Sequence, residues 1–252
     1  AGAWQASRAL GSWAAAHLGK TVLVAASLYD SGYDTLYAFR HGFEDAGGQV
    51  ADTVVTHLAP QQTRLGEWMS RIKELRPDLV YAQYCGQAAL DFARAFQSAG
   101  LAGKIPLVGS AFLATDEVQH SYPAVVEGLI SATAWSPVLD LDENRAFCTA
   151  YEAQHGQQPG PLAVLGFETA WLVEKMLQAR GGPAAQSWVG PGGLLEYNPA
   201  AYCTTRPIYL QQLARVGQDL SPRVLETLDN QQGICLLGGQ VKSGWTNCYL
   251  SI

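Results

Sequence analysis

The side chains with chemistry to offer gather in four short stretches, each at or just after an apolar, β-branched run. Ser27, Tyr29 and Ser31 close and follow the run Thr21–Ser27 (TVLVAAS), and Tyr84, Cys85 and Gln87 follow DLVYAQ at 78–83. Ser110 and Phe112 follow PLVG at 106–109, and Trp135 ends a fourth run at 124–135. Aromatic rings supply contact area, and serine hydroxyls with the free N–H groups of a helix start hold carboxylate oxygens. Together they suit a small organic acid or a polar, partly apolar metabolite. Each residue also has a structural reading. Tyr29 and Trp135 fit half-buried core positions, Ser31 fits a helix N-cap, and Gly32 and Gly86 fit backbone turns.

Catalysis has one candidate nucleophile, Cys85. A reactive thiolate needs a neighbouring base or a positive field. None of His17, His41, His57, His120 and His155 is brought clearly toward it by the order of elements, although His57 and His120 fall near loops. The chain has no GxSxG elbow, P-loop or GxGxxG. Its cysteines, 85, 148, 203, 235 and 248, form no CxxC pair and have no histidine at metal-ligand spacing, so no catalytic residue, metal site or cofactor is expected. Cys235 and Cys248 flank a glycine-rich stretch and read either as a disulfide or as two buried thiols.

The elements that must position these residues alternate. Strand-like runs at 21–27, 50–56, 78–83 and 106–109 are separated by amphipathic stretches at 33–46, 64–75 and 87–99. This is βαβ patterning, which predicts a doubly wound parallel sheet whose strand ends open on a binding crevice. A longer strand over 124–135 closes this lobe. Two successive helices follow at 143–154 and 161–178, then a strand or turn at 192–197 and a returning strand at 206–216. The division is thus an α/β lobe over 15–137 with a returning strand near 206–217, helices and hinge segments over 138–205, and a tail of uncertain structure over 218–252.

Composition sets limits. With 252 residues, 48% hydrophobic, the chain can bury a substantial core. A net charge of −6 argues against nucleic acid, which needs a basic face. The most apolar helix, 162–177, carries Glu168 and Glu174 and is too short for a bilayer, so no membrane insertion is expected. Residues 1–11 show no signal peptide and read as the middle of a helix with Trp4, Leu10 and Trp13 on its apolar positions.

An ordered series of matches resembles a known family. It runs from Tyr29-Asp30-Ser31-Gly32-Tyr33 through Phe39, Gly42-Phe43 and Ala46-Gly47-Gly48 to Pro77-Asp78-Leu79-Val80-Tyr81. Ala99-Gly100-Leu101, Pro106–Ser110, Glu127-Gly128, Trp135-Ser136-Pro137, then Asn144, Phe147 and Tyr151, and finally Gly192-Gly193 and Pro207–Leu210 continue it. This series resembles the second lobe of type I periplasmic solute-binding proteins, the Leu/Ile/Val-binding-protein-like receptors of ABC importers. The resemblance implies a ligand held between two lobes, a membrane permease as partner, and a periplasmic or extracellular location. The ligand would be a small organic acid, an amino-acid-like molecule or an amide. It also implies that the first half of an N-terminal lobe is missing. Such a chain would carry half a cleft, bind weakly or not at all, and expose apolar surface on the helices at 143–178. In amino-acid-binding members the loop after the 106–109 strand carries an acidic residue for the ammonium group. Ala111 stands there, which argues against an α-amino acid. The alternative functions are a ligand-sensing domain of a larger receptor or regulator and, less favoured, a thiol enzyme using Cys85.

Overall fold

The structure, a computed structural model, describes residues 3–27, 30–56, 62–178, 186–198 and 203–231. In chain order the elements of the lobe are α1 (Ala3–His17), β1 (Thr21–Ser27), α2 (Asp30–Asp45), β2 (Gln49–Thr56), α3 (Gln62–Leu75), β3 (Leu79–Gln83) and α4 (Gly86–Ser98). There follow β4 (Leu107–Gly109), a 3-10 turn over Ala111–Ala114, α5 (Asp116–Ser121), α6 (Pro123–Val126) and β5 (Ile130–Thr133). The chain continues with α7 (Asp142–His155), α8 (Pro161–Gln178), β6 (Gln186–Gly190), β7 (Gly193–Asn198), β8 (Cys203–Val216) and β9 (Asp219–Gln231).

Strands run in the order β2-β1-β3-β4-β5-β8, with the first five parallel. A strand buried on both faces sends alternate side chains to opposite helix layers. Val22 and Val24 meet Leu10, Leu36, Phe39 and Phe43 of α1 and α2. Leu23 and Ala25 meet Met69, Ile72, Phe92 and Phe96 of α3 and α4. This is the mixed α/β architecture with a parallel-dominated sheet that the alternation predicts. α1 lies against α2 so closely that a Cβ on Gly11 would overlap the Phe39 carbonyl and one on Gly42 the Arg8 carbonyl. Residues 3–17 thus pack on the lobe that was expected to begin at 15. Leu10 is buried in this contact, whereas Trp4 and Trp13 lie half exposed, Trp13 donating to Glu226 at 2.9 Å.

The expected long strand over 124–135 is corrected. Pro123 starts a short helical turn, Gly128 (φ 87°) redirects the chain, and only Ile130–Thr133 is strand. Proline at the first helical position outweighs the strand preference of Val125-Val126. The start of the tail proves regular. Gly217 (φ 64°) turns β8 into β9, which pairs with it antiparallel from Arg206↔Gln231 to Val216↔Asp219. Residues 232–252, with Cys235 and Cys248, lie outside the described residues.

Beyond β5 the chain enters a second layer. Phe147 of α7, Val164 of α8 and Tyr209 of β8 pack with Trp135 and Leu139 in a separate small core. Leu162, Leu165, Phe167, Val173 and Leu177 are exposed, Leu177 by 81%, so the apolar surface expected over 143–178 is found on α8.

Candidate functional site

Because β1, β3, β4 and β5 are parallel and in register, with Ala26 opposite Gln83, Ala82 opposite Gly109 and Gly109 opposite Ser131, their carboxyl ends form one rim. Every candidate residue follows one of these ends. Among the described side chains, some open on the rim and others turn inward.

Cys85 and Phe112 open outward. Cys85 occupies the N-cap position of α4 in extended conformation (φ −143°, ψ 161°), is exposed, and makes no side-chain capping bond. The N–H groups of the first turn of α4 are therefore left for solvent or an anion. Phe112 is 41% exposed. Ser110 is half-buried, its Oγ accepting from the Phe112 N–H at 3.1 Å and capping the 3-10 turn. Gln87 is spent locally, donating to Asp91 at 3.1 Å.

Three candidates turn inward. Tyr84 is 2% exposed, stacks on Phe92 with centroids 4.9 Å apart, and its hydroxyl lies 3.4 Å from Thr56 Oγ1. Burial pushes its phenol up to about 12. Trp135 is buried, and its Nε1 donates to Asn144 Oδ1 at 2.6 Å. Ser27 is buried, its Oγ 3.5 Å from the Gln83 carbonyl. The two aromatics turn inward because an apolar ring at a strand end gains more from the adjoining core than from a wet rim. Ser31 lies in the first turn of α2, which begins at Asp30, so it stands within the helix rather than before it as an N-cap. Tyr29 lies outside the described residues.

Beneath the rim the structure adds polar groups that the sequence reading did not single out. Gln83 and Thr56 are buried at the ends of β3 and β2. Gln83 Oε1 is 3.4 Å from the Tyr81 hydroxyl, which also lies 3.5 Å from Ser7 Oγ on α1. The five parallel strands thus end on Thr56, Ser27, Gln83, Ser110 (one residue beyond β4) and Thr133, each carrying a hydroxyl or an amide. The signal was present as a polar residue closing each apolar run. A polar recess of ≈ 360 Å³ lined by Asp116, His120, Arg215 and Asp219 lies near the β8–β9 turn, at the opposite edge of the sheet, and its Arg215 is already paired with Glu127 at 2.6 Å. Among the described residues no three His, Cys, Asp or Glu side chains gather to hold a metal.

Behind the rim the chain crosses to the second layer, and two buried polar groups hold the crossing. Asn144 Nδ2 donates to the carbonyls of Ser136, Pro137 and Leu139 at 3.3, 3.2 and 3.0 Å. Glu168 of α8 forms a two-armed ion pair with Arg206 of β8, both buried, and accepts from the Gly192 N–H at 3.2 Å.

Residues 1–189 match the periplasmic binding protein family. The chain belongs to that family. A curated relative, Leu/Ile/Val-binding protein homolog 6 of Brucella melitensis, is 29% identical over 231 residues, 84% of this chain and 57% of its own length. The chain therefore spans a little over half the length of that relative. Among solved structures, the solute-binding protein of an ABC transporter from Rhodopseudomonas palustris BisB5 in complex with 3,4-dihydroxybenzoic acid matches with a TM-score of 0.79 at 25% identity, over 91% of this chain and 66% of that one. A second, from R. palustris in complex with 4-hydroxybenzoate, has a TM-score of 0.81 at 26% identity over 96% of this chain and 68% of that one. The leucine-, isoleucine-, valine-, threonine- and alanine-binding protein of Brucella ovis shares the fold at a TM-score of 0.77 and 18% identity, over 92% of this chain and 64% of that one. The type I periplasmic binding fold that the residue series resembles is thus the fold of this chain. Periplasmic binding proteins are receptors, and the thiol-enzyme reading of Cys85 has no counterpart among them. No helix of the described residues is long and apolar enough to cross a membrane.

Proposed function

We propose that this chain is the ligand-binding lobe of an extracytoplasmic solute receptor that delivers a small carboxylic acid to the permease of an ABC importer. The observation that carries the reading is the rim itself: four parallel strand ends with polar termini, the uncapped start of α4, and Phe112 exposed beside Ser110. A carboxylate suits the helix-start N–H groups and the Ser110 hydroxyl, and an apolar or aromatic body suits Phe112. The benzoates bound by the two R. palustris proteins have this chemistry. Ala111 presents no carboxylate to an ammonium group, which favours an acid without an α-amino group.

In this reading the ligand contacts Cys85, Ser110 and Phe112 directly, with Ser27, Gln83 and Thr56 as the polar floor behind them. A thermal-shift series with 4-hydroxybenzoate, 3,4-dihydroxybenzoate and leucine tests it, because a ligand that binds only the folded state raises the midpoint in proportion to ln(1 + [L]/Kd). The aromatic acids are expected to raise the midpoint at millimolar concentration and leucine to leave it unchanged. A larger shift with leucine, or none with either acid, overturns the reading.

A further inference from the structure

We propose that Glu168 and Arg206 are positioning residues that latch the junction between the sheet lobe and the second layer, setting the angle at which α7, α8 and the β6–β7 hairpin stand to the rim. Arg206 occupies the point in β8 where the strand changes partners. Cys203–Thr205 pair with β7, and Tyr209–Gln212 pair with β5. From that point its guanidinium reaches back to Glu168 on α8, with Nη2 at 3.1 Å from Oε1 and Nη1 on Oε2.

The same carboxylate accepts the Gly192 N–H in the β6–β7 turn, and the Gly192 carbonyl accepts from the Tyr209 hydroxyl at 3.1 Å. A Cβ on Gly192 would overlap the Arg206 guanidinium and come within 2.7 Å of the Ala134 carbonyl. The outgoing pass of the chain at Ala134, the hairpin turn at Gly192 and the returning strand at Arg206 and Tyr209 therefore meet at one spot, and the Glu168 side chain ties that spot to α8.

Stability alone does not account for this arrangement. A buried ion pair loses in desolvation much of what it gains in attraction, and well-packed apolar residues of like volume often serve as well. Arg206 Nε moreover stays buried without a partner. What an apolar pair cannot supply is the acceptor for the Gly192 N–H and a fixed two-armed geometry between strand and helix. That a ligand-driven closing motion turns on this junction rests on the receptor reading. The latch itself is tested without ligand, so the two can fail separately.

The experiment is hydrogen exchange by mass spectrometry on the full 252-residue chain, with thermal midpoints, for Glu168→Gln, Arg206→Met, Gly192→Ala and the apolar double variant Glu168→Leu/Arg206→Met. Each single variant is expected to speed exchange over 134–139 and 190–195 roughly tenfold or more, while β3 stays protected, because local opening is independent of the sheet core. The double variant is expected to recover the midpoint lost by Arg206→Met yet to leave both segments exchanging fast. Protection of those segments restored by the apolar pair would reduce Glu168 and Arg206 to space-filling and overturn the proposal. So would variants in which β3 loses protection in step with the junction.

Discussion

Tyr81 and Tyr84 lie on opposite faces of the sheet, Tyr81 stacked on Phe39 at 4.0 Å and Tyr84 on Phe92. Burial pushes both phenols up from 10.0 to about 12. Below pH 10 both are protonated whether the chain is folded or not, and the stability they contribute is intact. Between pH 10 and 12 the unfolded chain releases these two protons and the folded chain keeps them, so stability falls as pH rises. The thermal midpoint is expected to drop more steeply between pH 10 and 11.5 in the wild type than in the Tyr81→Phe/Tyr84→Phe variant. Spectrophotometric titration showing all eleven tyrosines ionising together near pH 10 would contradict this. At this scale the sequence shows which residue types close each strand, but the row of polar ends is recognised only once the strands are aligned in the sheet. It does not show which way a side chain turns. Tyr84 and Cys85 are neighbours in the chain, yet one enters the core and the other faces solvent, because consecutive residues leaving a strand point to opposite sides.

The segment between β5 and α7 depends on one side chain. Asn144 gathers three carbonyls of 136–139 and the Trp135 indole, so the crossing is pinned to α7 although it has no regular structure of its own. Asn144→Ala leaves those groups buried without partners and is expected to cost about 2–4 kcal/mol in denaturant unfolding, the range for orphaning several buried polar groups. A loss below about 0.5 kcal/mol would mean that water replaces the amide at no cost. The elements themselves were largely legible, since runs of β-branched residues and helical spacing of Leu36, Phe39 and Phe43 report burial directly. Two failures have local causes. Val125-Val126 reads as strand until Pro123 and Gly128 are given their weight. β9 carries Pro222 and scattered polar residues, and its strand character comes from pairing with β8 across the Gly217 turn. The role of Asn144 has no local sequence signature, because most of its partners are backbone carbonyls.

For the whole molecule, the order of strands follows from βαβ connectivity, and the family from the ordered series between Tyr29 and Leu210. The junction was not legible. Glu168 reads as one of two charges on an apolar helix, and Arg206 as the start of a strand 38 residues later. Only the folded chain brings them together, so no local pattern announces the pair. Leu162, Leu165, Val173 and Leu177 of α8 present apolar surface to solvent, while Phe167 packs on Phe147 with ring centroids 5.0 Å apart. The carboxyl-end rim is the proposed place where ligand is met. The direct measurement is amide shift mapping of the isotopically labelled chain titrated with 4-hydroxybenzoate to millimolar concentration. Perturbations are expected at Ser27, Cys85, Gly86 and Ser110–Phe112. Perturbations confined to the opposite edge, at Lys20, Asp78, Lys104 and Gly128, or no response at the rim, would contradict it.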